Sequence, residues 1–307
     1  MISFSRLGTV GRLGNNLFQV ASTLGLSLSK GRGCSFPEWK YARYFAGPFP
    51  VGPKAGPLVV EPSYHYSDFV PDTPCDLGDY LQSERYWADN KAEVLKRFEW
   101  EPEFLASIKE KYERVFLRKV ICVSCRRGDI VDNPNYALLP AMYYITALYD
   151  HFPDWKDCNI LFLSDDIPWC RHHFGCLDNA FFADDFDDRD YFFSEKAVEQ
   201  LCLGSLCDGF VLSNSTFSWW CAYLAQRGKV VRPTEYFAGA LAKKCDTRDL
   251  WPEDWIAHSA RKFDLSDVTF TVPVFCDSID RKQNLDISIC MVQRDFETNV
   301  IVGEQGS

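Results

Sequence analysis

Two adjacent arginines, Arg126 and Arg127, stand directly after the apolar run Val120-Ile121-Cys122-Val123-Ser124-Cys125 and just before Gly128 and Asp129. A guanidinium held at the end of a buried strand can grip a phosphate through two parallel N–H donors, a match that a point charge does not reproduce. The same pair could instead form an internal ion pair with Asp129 or another carboxylate, and the dipeptide alone leaves both open. Asn214-Ser215-Thr216 precedes the apolar stretch Phe217-Ser218-Trp219-Trp220-Cys221-Ala222-Tyr223-Leu224. It reads as a helix N-cap, whose hydroxyls and backbone N–H groups also suit a phosphate. Ser164-Asp165-Asp166 offers carboxylates to a sugar hydroxyl or a base edge, or alternatively caps the helix that carries Trp169 and Cys170. Near the start, Gly8, Gly11 and Gly14 punctuate a loop ahead of Leu17, Phe18, Ala21, Leu24 and Leu28 at helical spacing. A loop feeding a helix N-terminus is a natural anion seat.

Elements of a definite kind must position these groups. Short apolar runs over residues 119–124, 159–163, 210–213 and 229–232 alternate with stretches of helical spacing. That alternation predicts an α/β fold with a parallel sheet covered on both faces, in which ligands sit outside the carboxyl ends of the strands. The first three runs end in the three polar clusters, so all three aim at one crevice. Residues 31–78 are rich in Gly, Pro and aromatic side chains and predict a looped region facing a substrate. Residues 102–119 read as a charged amphipathic helix leading into the next lobe.

Composition narrows the function classes. With 33 Lys+Arg against 43 Asp+Glu the formal charge is −10, which argues against an electrostatic grip on nucleic acid. At 47% hydrophobic and 25% charged residues, disorder and collagen-like repeats are excluded, and 307 residues suggest two domains or lobes. No apolar run approaches the ~18–20 residues of a membrane span, and Met1-Ile2-Ser3-Phe4-Ser5-Arg6 lacks a basic stretch followed by a long apolar one. The expectation is a soluble, cytoplasmic protein. The 13 cysteines are scattered inside apolar runs and read as reduced, buried thiols.

Taken in order, the segments resemble a known family. Gly11-Arg12-Leu13-Gly14-Asn15-Asn16-Leu17-Phe18-Gln19 is similar to the opening motif of the alpha-1,2-fucosyltransferases, glycosyltransferase family 11. Leu77-Gly78-Asp79-Tyr80-Leu81-Gln82-Ser83-Glu84-Arg85-Tyr86-Trp87, Arg126-Arg127-Gly128-Asp129, Phe162-Leu163-Ser164-Asp165-Asp166, residues 214–220 and residues 246–256 match further motifs in the same order. The resemblance implies a GT-B architecture of two Rossmann-like lobes facing a cleft, with an N-terminal acceptor-side lobe over 1–118 and a nucleotide-sugar lobe over 119–258. It implies inverting transfer of L-fucose from GDP-fucose to a glycan hydroxyl, most simply in alpha-1,2 linkage, with no cofactor and no metal. The partners are then a GDP-sugar donor and a glycan acceptor, with no nucleic acid and no membrane span.

By the same match Arg126 would hold the donor's β-phosphate with Arg127 in support, Ser215, Thr216 and Phe217 would line pyrophosphate and fucose, Asp165 would approach the guanosine, and Asn15 would reach the donor from the opposite lobe. Asp129 joins Arg126 as a catalytic candidate. Asp129, Glu84 and Asp68 are the carboxylates available as general base, and each also reads as a structural partner. Two departures bear on the donor. Ser124 stands where the family has His, and Gln200 and Gly204 where it has Asp and Met. They keep open transfer of another GDP-deoxysugar, and a noncatalytic carbohydrate-binding module on the same fold.

Asp184-Asp185-Phe186-Asp187-Asp188-Arg189-Asp190 lacks the glycine and spacing of a calcium loop and reads as a solvated acidic loop. His172-His173 have no ligand partner at metal spacing, and Trp219-Trp220 read as core helix residues. In the tail, residues 267–275 predict a strand, 280–293 an amphipathic helix and 299–302 a second strand. This tail resembles the opening of a GT-A nucleotide-sugar transferase domain. Residues 259–307 are therefore expected to be a linker plus the partial β-α-β of a following glycosyltransferase module, the alternative being an apolar tail packed on the preceding lobe.

Overall fold

The apolar runs become strands of parallel sheets in the computed structural model, which describes residues 1–183, 195–259, 270–274 and 300–304. Met1–Ala260 forms one compact unit and Arg261–Ser307 a second.

In the first half of the larger unit, β1 (Ile2–Ser3), β2 (Cys34–Ser35), β3 (Leu58–Val59) and β4 (Cys75–Leu77) make a parallel sheet in the order β2-β1-β4-β3. The strands are two or three residues long because Gly and Pro interrupt the chain between them. The buried Asp76 carboxylate pins the chain leaving β1, accepting from Ser3 Oγ at 2.7 Å, Ser5 N at 2.8 Å and Ser5 Oγ at 2.6 Å. From there the glycine loop runs into α1 (Leu13–Ser29), a helix whose interior residues are buried almost all round. α2 (Lys91–Arg97) and α3 (Pro102–Lys111) follow. Pro102 opens α3, and Glu101 caps it by accepting from Phe104 N at 2.8 Å.

The second half carries the longer sheet. β5 (Val120–Cys125), β6 (Asn159–Ser164), β7 (Ala180–Phe182), β8 (Gly209–Val211), β9 (Lys229–Pro233) and β10 (Ile256–His258) are all parallel, in the order β10-β9-β8-β5-β6-β7. α4 (Ala141–His151), α5 (Ile167–Phe174), α6 (Glu195–Ser205), α7 (Thr216–Ala225) and α8 (Gly239–Lys244) connect them. β5 and β6 are buried at every residue, as strands covered on both faces must be. The result is a mixed α/β fold with parallel sheets.

One apolar cluster joins the halves. Phe18 of α1 lies 4.5 Å from Trp219 and 5.3 Å from Trp220 of α7 (ring centroids), while Trp87 stacks on Trp220 at 5.9 Å and donates from Nε1 to Tyr223 Oη at 2.8 Å. Trp219 and Trp220 are fully buried, so they are core residues, and aromatic burial of this size contributes about 1.5–3 kcal/mol per side chain. The packing sets the N-terminus of α1 against the N-terminus of α7.

In the smaller unit, β11 (Phe270–Val274) and β12 (Val300–Glu304) pair in parallel, with Phe270 opposite Val300. The expected helix over 280–293, most of the expected linker and the acidic run 184–190 lie outside the described residues. Among the described residues the cysteines are unpaired thiols, most of them buried, and no helix is long and apolar enough to cross a membrane.

Candidate functional site

A cavity of about 250 Å³ opens where the glycine loop meets the carboxyl ends of β5 and β6 and the first turn of α7. Gly11 to Asn15, Tyr64, Tyr80 and Gln82 line it from the first half, and Ser124 to Arg126, Asp129, Leu163 to Asp165, Gln200 and Ser215 to Ser218 from the second.

The glycine loop owes its path to two positions. Gly11 has φ +76°, the left-handed region, where glycine carries no steric penalty. At Gly14 an added Cβ would lie 2.6 Å from Phe217 N, so only glycine lets α1 sit directly on the start of α7. This contact places Asn15 at the junction. Its Oδ1 accepts from Gln82 Nε2 at 2.8 Å and from Thr216 Oγ1 at 3.0 Å, while Tyr64 Oη donates to Gln82 Oε1. With its oxygen doubly used, Asn15 has its NH₂ left as donor, and that nitrogen lies beside Gly11 of the glycine loop.

Arg126 leaves the end of β5 and lies against the Tyr136 ring, 4.9 Å from its centroid. Its Nη1 donates to the Asn214 carbonyl at 3.1 Å and its Nη2 to Asp129 at 3.0 and 3.2 Å. Burial works against its charge, but Tyr236 and Asp129 outweigh burial and raise its pKa, so the guanidinium stays charged. Asp129 also meets Arg12 Nη2 at 3.0 Å and is thus bracketed by one guanidinium from each half. Burial tends to lift the Asp129 carboxyl, yet Arg126 and then Arg12 prevail and hold it below the usual carboxylate range.

The internal ion pair left open by the sequence is therefore formed, and by the residue that also lines the cavity. Arg127 behaves differently. Its backbone N donates to Asp165 Oδ1 at 2.7 Å, its Nε reaches Asp166 Oδ2 at 3.3 Å, and its guanidinium lies 4.2 Å from the Trp169 ring centre, so its side chain packs on α5 and is not among the cavity's lining residues. Asp165 lines the cavity while clasping the loop after β5; burial raises its carboxyl, and the Arg127 and Gly128 amides oppose the rise. Asp166 caps α5, accepting from Trp169 N at 3.1 Å.

At α7, Ser215 Oγ caps the helix by accepting from Phe217 N at 3.2 Å, while the Thr216 amide is hydrogen-bonded to Tyr236. Ser215, Thr216 and Phe217 line the cavity as well, so capping and lining are one arrangement. The positive end of the helix dipole still faces it. Beneath, Ser124, Ser218 and Ser213 form a chain of hydroxyls with Oγ to Oγ distances of 2.6 and 2.8 Å.

Neither Glu84, paired with Lys91 at 3.6 Å, nor the exposed Asp68 lines the cavity. A carboxyl the sequence did not mark is Glu61, pushed up to about 7 chiefly by burial, which accepts from Tyr86 Oη at 2.5 Å and from the Leu81 amide. Asp79 (φ 66°) and Leu81 (φ 53°) are both left-handed, and between them Tyr80 is presented to the cavity. Arg12, Tyr64, Tyr136 and Tyr236 were likewise unassigned. Arg12 and Gln82 sit inside matched motifs, whereas Tyr64 lies in the Pro- and aromatic-rich stretch with no periodic signal.

Comparison with known proteins matches residues 77–257 to the model of glycosyl transferase family 11. The O-antigen biosynthesis glycosyltransferase WbnK of Escherichia coli is 30% identical over 147 residues, 44% of this chain and 46% of WbnK. The alpha-1,2-colitosyltransferase of Escherichia coli is 26% identical over 183 residues, 58% of this chain and 60% of that protein. The chain thus spans about half the length of the curated relatives it matches. Among solved structures, the fucosyltransferase NodZ from Bradyrhizobium shares the fold at a TM-score of 0.50 and 13% identity, over 72% of this chain and 91% of NodZ.

Proposed function

Because the chain belongs to glycosyl transferase family 11, we propose that its cavity is a GT-B donor cleft between two facing lobes and that it transfers L-fucose from GDP-fucose to a glycan hydroxyl, with inversion and in alpha-1,2 linkage. The observation that carries this reading is Arg126 beside the N-terminus of α7, with Asn15 facing it from the other half across the Thr216 hydrogen bond. Breaking the fucosyl bond leaves negative charge on GDP. A fixed guanidinium and the positive end of a helix stabilise that charge as it develops, without reorganising at the moment of reaction.

Arg126 now spends two donors on Asp129, and a diphosphate entering the cavity competes for them. Asp129 retains Arg12 as a second partner, so the exchange strands no carboxylate. Its depressed pKa makes it a weak proton acceptor, and its role in this reading is to orient Arg126. Arg127 supports the site at one remove, by holding the loop through Asp165 and Asp166. With arginine, amide and hydroxyl donors toward the diphosphate, donor binding needs no divalent cation.

Transfer of a different GDP-linked deoxysugar is the second reading, favoured by the likeness to a colitosyltransferase. One assay separates them: the protein is incubated with a panel of GDP- and UDP-sugars and glycan acceptors in the presence of a chelator, and products are read by mass. Fucosyl product from GDP-fucose is expected. A strict metal requirement removes the metal-free part of the reading, and GDP binding without product from any donor shows a noncatalytic module.

A further inference from the structure

The inner wall of the cavity holds a buried amide whose hydrogen-bonding capacity is unspent. Gln200, on α6, is 2% exposed and lines the cavity, and neither its Nε2 nor its Oε1 finds a partner among the described residues. Buried polar atoms are almost always paired, so an orphaned pair on a cavity wall points to a ligand. Among the described residues its polar neighbours in the cavity are committed elsewhere. The Ser124 and Ser218 hydroxyls bond each other at 2.6 Å, Asp165 is engaged by the Arg127 amide at 2.7 Å, and Leu163 and Ala197 are apolar.

Position narrows the ligand, and this step rests on the donor-site reading above. Arg126 and Thr216 mark the junction of the halves, since the partner of Arg126, Asp129, reaches Arg12, and Thr216 reaches Asn15. A diphosphate belongs at this junction. The sugar then faces Tyr64, Tyr80 and Gln82, where an acceptor can approach, and the base lies on the C-terminal side with Gln200. A carboxamide presents a donor beside an acceptor, which complements a lactam edge, a carbonyl beside an N–H.

We propose that Gln200 reads the donor's base, its Nε2 donating to guanine O6 and its Oε1 accepting from N1–H, so that the site recognises the purine lactam and leaves the 2-amino group unread. A carboxylate at this position would instead accept from N1–H and the 2-amino group together. Inosine diphosphate carries the same lactam without that amino group, which makes it the diagnostic probe.

The experiment is calorimetric titration of the full chain with GDP and with IDP, for the wild type and for Gln200→Leu, Gln200→Met and Gln200→Glu, each first checked for a cooperative thermal transition. GDP and IDP should bind the wild type within about threefold of each other. Gln200→Leu and Gln200→Met should weaken both by about 10- to 100-fold, the worth of one bidentate base contact. Gln200→Glu should prefer GDP over IDP by tenfold or more. The proposal is overturned if both apolar variants bind GDP like the wild type, or if the wild type already prefers GDP over IDP by tenfold. Failure of the wild type to bind either nucleotide overturns the GDP-sugar reading itself, a different result from either of these.

Discussion

The two halves of the larger unit build one cavity by different means. The C-terminal half places Arg126, Asp165 and Ser215 at or just beyond the ends of parallel strands, so their positions follow from a six-stranded sheet. The N-terminal half offers Asn15 from the first turn of α1 and Arg12, Tyr64, Tyr80 and Gln82 from loops between strands of two or three residues, held by side-chain hydrogen bonds and left-handed turns. The central guanidinium Arg126 and the α7 N-terminus thus come from the sheet-built half, while the looped half adds Arg12 and the aromatic and amide lining. Loops on a rigid scaffold tolerate sequence change, so under the proposed function the looped half is where acceptor choice would vary while the donor side stays fixed.

The sharpest way to break this division is to remove the central charge. Arg126→Ala should lower transfer by about 30- to 1,000-fold, corresponding to about 2–4 kcal/mol of lost stabilisation of the leaving diphosphate. The fold should survive, because Asp129 keeps Arg12 at 3.0 Å. Steady-state kinetics with circular dichroism checks both parts; near-normal activity in a folded Arg126→Ala would move the charge site elsewhere.

A second variant attacks the seam. In Gly14→Ala the new methyl meets Phe217 N and Thr216 within 2.6 Å, backbone that cannot step aside without shifting α7. Overpacking of this kind costs about 1–3 kcal/mol. It should also separate Asn15 from Thr216, so GDP affinity falls together with the melting temperature. If the melting temperature drops but calorimetric GDP affinity does not, the seam serves stability alone and the halves are less coupled than the hydrogen bond at 3.0 Å suggests.

This contrast also explains what could be read from sequence. Strands β5, β6, β8 and β9 announce themselves as apolar runs, and the polar residues after the first three are cavity residues because a parallel sheet collects its ligands at the carboxyl ends. Pattern fails within those clusters. Arg126 and Arg127 are neighbours of one type, yet only the first lines the cavity, because the Trp169 ring and Asp166 supply a surface for the second. In the looped half the strands are too short to leave a period. Tyr64 enters the site through Gln82, a residue 18 positions away, and Glu61, outside the cavity lining, is tied to Tyr86, 25 positions away. Long-range side-chain pairs of this kind have no local signature, whereas the glycine loop did, since its glycines mark a turn and a close approach.

The smallest expected effect tests the looped half by pH. Glu61 is raised from an ordinary 4.5 to about 7, first by burial and further by Asp79, against the hydrogen bonds from Tyr86 and the Leu81 amide. For an acid whose folded-state pKa is raised, the stabilising contribution is complete below about 4.5 and is lost as pH rises through about 7. Glu61→Gln keeps an oxygen to accept from Tyr86 and removes the ionisation. The melting temperature of the variant relative to the wild type should therefore rise between pH 4.5 and 7, by a few degrees, and level off above. The same window should loosen the Tyr80 turn in the wild type, since the buried Glu61 carboxylate, once ionised, is penalised by its desolvated surroundings and repelled by Asp79, and opening of the turn to water relieves both. Hydrogen exchange at residues 79–82 reads this directly, with faster exchange expected at pH 8 in the wild type and no added acceleration beyond the intrinsic base-catalysed rate in Glu61→Gln. A difference in melting temperature that stays flat across the window would show that Glu61 ionises as freely in the fold as outside it, and that the turn is held by its backbone alone.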